Sequence, residues 1–127
     1  MSTLLAADIG KRRTGLALAD TKAGFIMALD TLHHTSDVEL IDLLAKAVKT
    51  RKVDEIIIGL PLLPQGKEGE QAAYVRSVAT LLGKSVSAPI EFMDERYTSP
   101  RNGQPYDPDA TAACALLSVA LSRRIEQ

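Results

Sequence analysis

A chain of 127 residues, 46% hydrophobic and 24% charged, can bury one core without disulfides and is short for two ordinary domains. Its formal net charge of −1 excludes a molecule that is basic all over, so any nucleic-acid contact falls to a local basic patch. One cysteine, Cys114, excludes an internal disulfide and fits a reducing compartment.

No apolar stretch approaches the roughly 18 residues of a membrane span, and no cationic segment leads into an apolar one. The expectation is a soluble cytoplasmic protein with no membrane partner. The sequence shows no internal repeat, low-complexity tract or linker, so residues 1–127 read as a single domain.

Three apolar runs come first, TLLAADI at 3–9, TGLALAD at 14–20 and FIMALDTL at 25–32, separated by short turns containing Gly10 and Gly24. Such spacing predicts an antiparallel meander. His33 and His34 follow and are expected as an exposed loop pair. Ser36 or Asp37 then caps a helix over 37–51, with Val38, Ile41, Leu44, Ala45 and Val48 at helical spacing and cations at its end.

EIIIG at 55–59 has the unbroken apolar character of a strand buried on both faces, as in parallel sheets. A loop follows, from Leu60-Pro61 through Gly66, and a second helix is expected from about Glu68 to Leu82, stopping at Gly83. IEFMDE at 90–95 is the last strand. Thr98 to Pro108 holds three prolines and a glycine and reads as a loop, after which Asp109 is expected to cap a helix running to about Arg124.

The order predicts an α/β domain: a five-stranded mixed sheet, three antiparallel strands then two parallel, flanked by helices. Right-handed crossovers place the fourth and fifth strands parallel to the first. Asp8 and the Asp94/Glu95 pair then fall at the carboxyl ends of parallel strands, where open α/β sheets keep their sites. Asp109 can lean onto the same edge.

Converging carboxylates repel one another unless a cation offsets their charge. An all-oxygen donor set suits Mg²⁺ or Mn²⁺, and two such ions about 3.5–4 Å apart activate water and stabilise the leaving oxygen of a phosphodiester. On local sequence alone Asp8 reads equally well as a turn former, Asp109 as a plain helix cap, and Asp94 and Glu95 as solvated or paired with Arg96. Their shared edge is what favours the metal.

Four segments in this order, DIGKRRTGLALAD, IIIGLPLLPQGKEGEQA, FMDERYTS and DATAACALL, resemble the YqgF (RuvX-like) family of small RNase H-fold proteins. That family is described as pre-16S rRNA nucleases and relatives of Holliday junction resolvases. The resemblance runs over nearly the whole chain and implies an RNase H-like fold and a Mg²⁺- or Mn²⁺-dependent nuclease. Its substrate would be structured RNA, such as the 5′ end of pre-16S rRNA, or branched DNA, bound by a monomer or a homodimer.

Position by position, the resemblance matches the first catalytic aspartate to Asp8 and the DER motif to Asp94, Glu95 and Arg96, with Glu95 the preferred ligand. It matches the last aspartate to Asp109, ahead of Ala112-Ala113, with Asp107 as the alternative. Asp8, Glu95 and Asp109 are the expected catalytic and metal-binding residues, and Asp94 is a further candidate ligand. Lys11, Arg12, Arg13, Lys67 and Arg96 are the expected nucleic-acid contacts, Lys67 lying in the stretch that resembles the family's GLP…G…G signature. Cys114 reads as packing, and Tyr97 and Tyr106 are too isolated for a stacking platform.

One departure stands out. Between the DER-T motif and the last aspartate this chain has only SPRNGQPYDP, where family members carry a helix and a basic stretch. That favours an alternative, a catalytically weakened nucleic-acid-binding factor in ribosome maturation. A nucleotide-binding module of the actin-like kind also opens on D-x-G, but needs two such domains.

Overall fold

The computed structural model describes the backbone of residues 2–94 and 108–125, and the side chains of 2–94 and 112–123. Strands β1 (Thr3–Ile9), β2 (Arg13–Asp20) and β3 (Ile26–His33) precede helix α1 (Asp37–Thr50). Strand β4 (Glu55–Leu60), helix α2 (Glu70–Gly83), strand β5 (Ile90–Asp94) and helix α3 (Pro108–Ile125) complete the order. The sheet runs β3-β2-β1-β4-β5, with β1–β2 and β2–β3 antiparallel and β1–β4 and β4–β5 parallel. This is the mixed sheet expected from the order of elements.

Period-two alternation divides the core between the two faces of the sheet. Leu5, Ala7, Ile9, Leu16, Ile56 and Ile58 face one way, into a cluster with the buried residues of α1 and α2. Leu4, Ala6, Ala17, Ala19, Ile57 and Met93 face the other way and pack with Ala113, Leu116, Leu117 and Ala120 of α3. The result is three layers: α1 and α2, the sheet, and α3. Both faces of β4 are covered, which is why its sequence is apolar without a break.

Local signals account for the helix ends. Ser36 Oγ accepts the Glu39 N–H at 3.1 Å, and Glu39 Oε1 reaches back to the Thr35 N–H at 2.8 Å, a reciprocal cap on α1. Tyr74 on α2 donates its hydroxyl to Asp37 Oδ1 at 2.8 Å; burial, and then this bond, push the phenol up to about 12. The α1 stripe is Leu40, Ile41, Leu44 and Val48, and Val38 is 70% exposed because it lies about 100° around the helix from the centre of that stripe.

Three expectations need correction. Helix α2 starts at Glu70 after an extended Gly69, two residues later than Glu68. Helix α3 starts at Pro108, a residue pre-set for the first helical position, so Asp109 falls inside the first turn and does not precede the helix. His33 is exposed at the end of β3, but His34 is only 3% exposed. Of the loop expected over 98–108, Pro108 instead opens α3 and the rest lies outside the described residues, as does position 95 of the last strand.

Candidate nuclease site at the carboxyl edge of the sheet

Asp8 is the penultimate residue of β1, next to the point where the strand leaves the sheet. It is half-buried, and it lies on the α3 face, two residues beyond Ala6. Its neighbour on β2 is Gly15; continuing the β1–β4 register by one residue makes Gly59 its neighbour on β4, and Gly59 pairs in turn with Met93. Neither flanking position carries a side chain, so no neighbouring side chain on β2 or β4 stands directly beside the carboxylate. Among the described residues no hydrogen bond or ion pair engages the Asp8 carboxylate. A half-buried carboxylate with no internal partner keeps its acceptor capacity for something bound from outside.

The chain turns back at once. A Cβ at Gly10 would stand 2.5 Å from the Arg13 carbonyl oxygen, a clash with backbone that cannot swing aside. Glycine is therefore required for a turn this tight, which presents Lys11 and Arg12 to solvent one step beyond Asp8. Arg13, also exposed, opens β2.

Behind this turn lies a contact that sequence reasoning missed. Thr14 and His34 are both buried, with Thr14 Oγ1 and His34 Nε2 2.9 Å apart, and the His34 N–H donates to the Arg12 carbonyl at 3.0 Å. The segment joining β3 to α1 is thus tied to the backbone of the basic turn. Among the described residues His34 Nδ1 is buried without a partner, and burial holds the imidazole below its usual range. The adjacent histidines gave no clue to which one points inward; Thr14 following three cations was the available signal.

Asp94 ends β5 at the same edge, one step past Met93. Met93 packs on the α3 face and Phe92 on the other, so alternation places Asp94 on the α1–α2 face, opposite Asp8. The loop after β4 leaves from this edge too. In it the Leu63 N–H donates to the Lys67 carbonyl at 2.8 Å, Gly66 has φ +91°, and Lys67 is exposed. The edge therefore gathers Asp8, Lys11, Arg12, Lys67 and Asp94. Asp109 sits in the first turn of α3, the helix that covers the Asp8 face; Glu95 and Arg96 lie outside the described residues. Among the described residues no three carboxylate, histidine or cysteine side chains cluster as a metal site.

Comparison with known proteins gives this arrangement its context. Residues 2–123 match the family model described as RuvX, Holliday junction resolvase. The chain belongs to that family. A relative in Chloroflexus aurantiacus, named "Putative pre-16S rRNA nuclease", is 36% identical over 96 residues, covering 76% of this chain and 63% of that protein. One of the same name in Sulfurihydrogenibium is 36% identical over 101 residues, covering 78% and 68%. The chain thus spans under two thirds of the Chloroflexus protein.

Among solved structures, Thermus thermophilus RuvC, determined in complex with a Holliday junction substrate, superposes with a TM-score of 0.71 at 8% identity, over 98% of this chain and 96% of that one. The fowlpox virus resolvase, in complex with Holliday junction DNA, superposes with a TM-score of 0.60 at 10% identity, over 97% and 99%. The fold is RNase H-like.

Proposed function

We propose that the chain is a divalent-metal-dependent nuclease that hydrolyses phosphodiester bonds in structured RNA or branched DNA. The observation that carries this reading is Asp8: half-buried, unpartnered among the described residues, and flanked by Gly15 and Gly59 at the carboxyl edge of a parallel strand pair. Asp8, Glu95 and Asp109 are the residues to hold Mg²⁺ or Mn²⁺. Asp94, on the opposite face by alternation, is the less suited of the two neighbouring carboxylates. When bound, the cation offsets the carboxylate charge and polarises the scissile phosphodiester.

The chain's own groups then have separate tasks. Asp8 fixes one side of the cation site from a rigid strand. Lys11, Arg12 and Arg13 present cations to the backbone phosphates next to that site, with Lys67 and Arg96 extending the contact. Gly10 and His34 hold the turn in register with Asp8. Membership of the RuvX family and relatives named for pre-16S rRNA favour precursor ribosomal RNA as substrate, and the fold shared with junction resolvases keeps four-way DNA in contention. No helix among the described residues is long and apolar enough to cross a membrane, which fits action on nucleic acid in the cytoplasm.

The deciding experiment offers a precursor ribosomal RNA fragment and a four-way DNA junction to wild type and Asp8→Asn, with Mg²⁺ or Mn²⁺. The expected result is metal-dependent cutting that the variant loses. Binding without cutting by wild type would replace the nuclease with a binding factor of ribosome maturation, and the short segment SPRNGQPYDP would be the first place to look.

A further inference from the structure

At the edge of the sheet opposite Asp8, the end of α1 and the segment from α2 to β5 enclose an open groove of about 530 Å³. Its floor is apolar, from Val48, Val53 and Val86. Its rim carries Lys46, Lys49 and Lys52, all exposed, and the hydroxyl-bearing Ser85 and Ser87. Exposed Arg51 and Lys84 cap the two helices beside it. Among the described residues no ion pair neutralises any of these cations, and the neighbouring Asp54 carboxylate is engaged by the Thr3 N–H at 2.8 Å. In a chain of net charge −1, this is a concentrated positive patch.

The helix dipole of α1 accounts for Lys49, in the last turn. It does not account for Lys52. The Val53 N–H bonds to the Val48 carbonyl at 2.9 Å and the Lys52 N–H to the Lys49 carbonyl at 3.3 Å, the pattern of a helix end whose turning residue is left-handed and usually glycine. Here that residue is Lys52, with φ +53°. A lysine is held at the lip of the groove in a conformation that disfavours any side chain.

We propose that this groove is a second nucleic-acid contact, seating one unpaired nucleotide against the valine floor with its flanking phosphates on Lys46, Lys49 and Lys52. The volume suits a mononucleotide, the floor suits a base or sugar face, and the serines supply donors and acceptors for their polar edges. Val53 lies two residues before β4 and Gly59 is its fifth residue, so the groove and Asp8 stand at opposite ends of that strand, about 13 Å or more apart along it. A structured substrate that reaches both ends is gripped at two points, which selects for size and shape without reading sequence. This inference rests on the nuclease reading and adds to it a preference for substrates with an unpaired arm.

The test measures binding of the full chain, without divalent cation, to a labelled RNA hairpin with a single-stranded overhang and to its blunt counterpart, across a salt series. The triple variant K46A/K49A/K52A is expected to weaken overhang binding tenfold or more, to flatten its salt slope by about two, and to leave blunt binding nearly unchanged. K52G alone is expected to weaken overhang binding while raising Tm, which separates a lost contact from a lost fold. Equal losses on both hairpins, or no loss on either, would overturn the proposal while leaving the nuclease reading intact. Wild type that binds neither hairpin would also overturn the proposal, and the nuclease reading, which admits branched DNA, would then stand or fall on the cleavage experiment alone. Protection of the three lysines from acetylation by polyglutamate but not by RNA would reassign the groove to an acidic protein and overturn it too.

Discussion

Thr14 Oγ1 and His34 Nε2 stand 2.9 Å apart, both residues shut away from solvent, directly beneath the turn that carries Lys11 and Arg12. A neutral imidazole satisfies this contact at one nitrogen and leaves the other buried with no partner among the described residues. Protonation would place a charge there, and Glu39 and Asp37, whose charges pull the other way, do not outweigh the cost of burial. The folded-state pKa of His34 is therefore lowered.

The consequence for stability has a definite sign. The unfolded chain takes up the proton near the ordinary histidine value of about 6.5, while the folded chain resists it to lower pH. Stability is complete above about pH 6.5 and declines as pH falls from there through the folded-state pKa. His34→Gln keeps a polar side chain opposite Thr14 and removes the titration. Urea midpoints measured between about pH 7.5 and 5 should fall in wild type and flatten in the variant, with an offset of about 1 kcal/mol at the upper end. Parallel curves would remove His34 as the source.

Gly10→Ala tests how tightly the basic turn is built. The new Cβ meets the Arg13 carbonyl at 2.5 Å, and relief requires the hairpin end to shift. A loss of about 1–3 kcal/mol in denaturant is expected, the range for overpacking a constrained site. Because Lys11 to Arg13 ride on the turn, nucleic-acid affinity should fall as well. A variant as stable as wild type would mean that the turn is adaptable.

The faces of the sheet separate two carboxylates that the order of elements places at one edge. Asp8 shares its face with α3, and Asp94 shares its face with Phe92 and the other two helices. Asp8→Asn is expected to reduce metal-dependent cleavage by about 100-fold or more, at least what loss of a residue supporting a metal ligand costs. Asp94→Asn should stay within a few-fold of wild type. Comparable losses from both would move Asp94 into the cation site.

How far the sequence carried these conclusions depends on the kind of signal. The meander, the continuous apolar run of β4 and the capped α1 are written in local periodicity, and the sheet order follows once crossover handedness is imposed. Asp8 stood out as a candidate only once the strand order set it at one edge with Asp94, because on local sequence alone it reads equally well as a turn former. Its glycine neighbours were not legible, since Gly15 and Gly59 meet Asp8 only through pairing across β2 and β4. His34 was misplaced for the same reason: its burial depends on Thr14, twenty residues earlier and on another strand. The lysines at 46, 49 and 52 looked like the usual cations of a helix end, because φ at Lys52 is set by the start of β4 and has no signature in composition.

The last prediction sets core against surface on the helix layers. Leu116 of α3 is wholly buried in the cluster with Leu4, Ala6 and Ile57, and Leu116→Ala should cost about 2–5 kcal/mol. Arg76 and Glu68 look stronger on geometry alone, with two bonds of 2.6 and 2.8 Å and the guanidinium 4.8 Å from the Phe92 ring centre. Their side chains are 47% and 41% exposed, however, so water and salt screen the pair, and Arg76→Ala should cost no more than about 1 kcal/mol. Denaturant midpoints at low and high salt distinguish the two: the Arg76 effect shrinks with salt and the Leu116 effect persists. Asp109, proposed as a cation ligand, lies in the first turn of α3, so on that reading Leu116→Ala should lower cleavage at temperatures where the variant is still folded. Full activity in a variant several kcal/mol less stable would show that α3 does not position the catalytic edge.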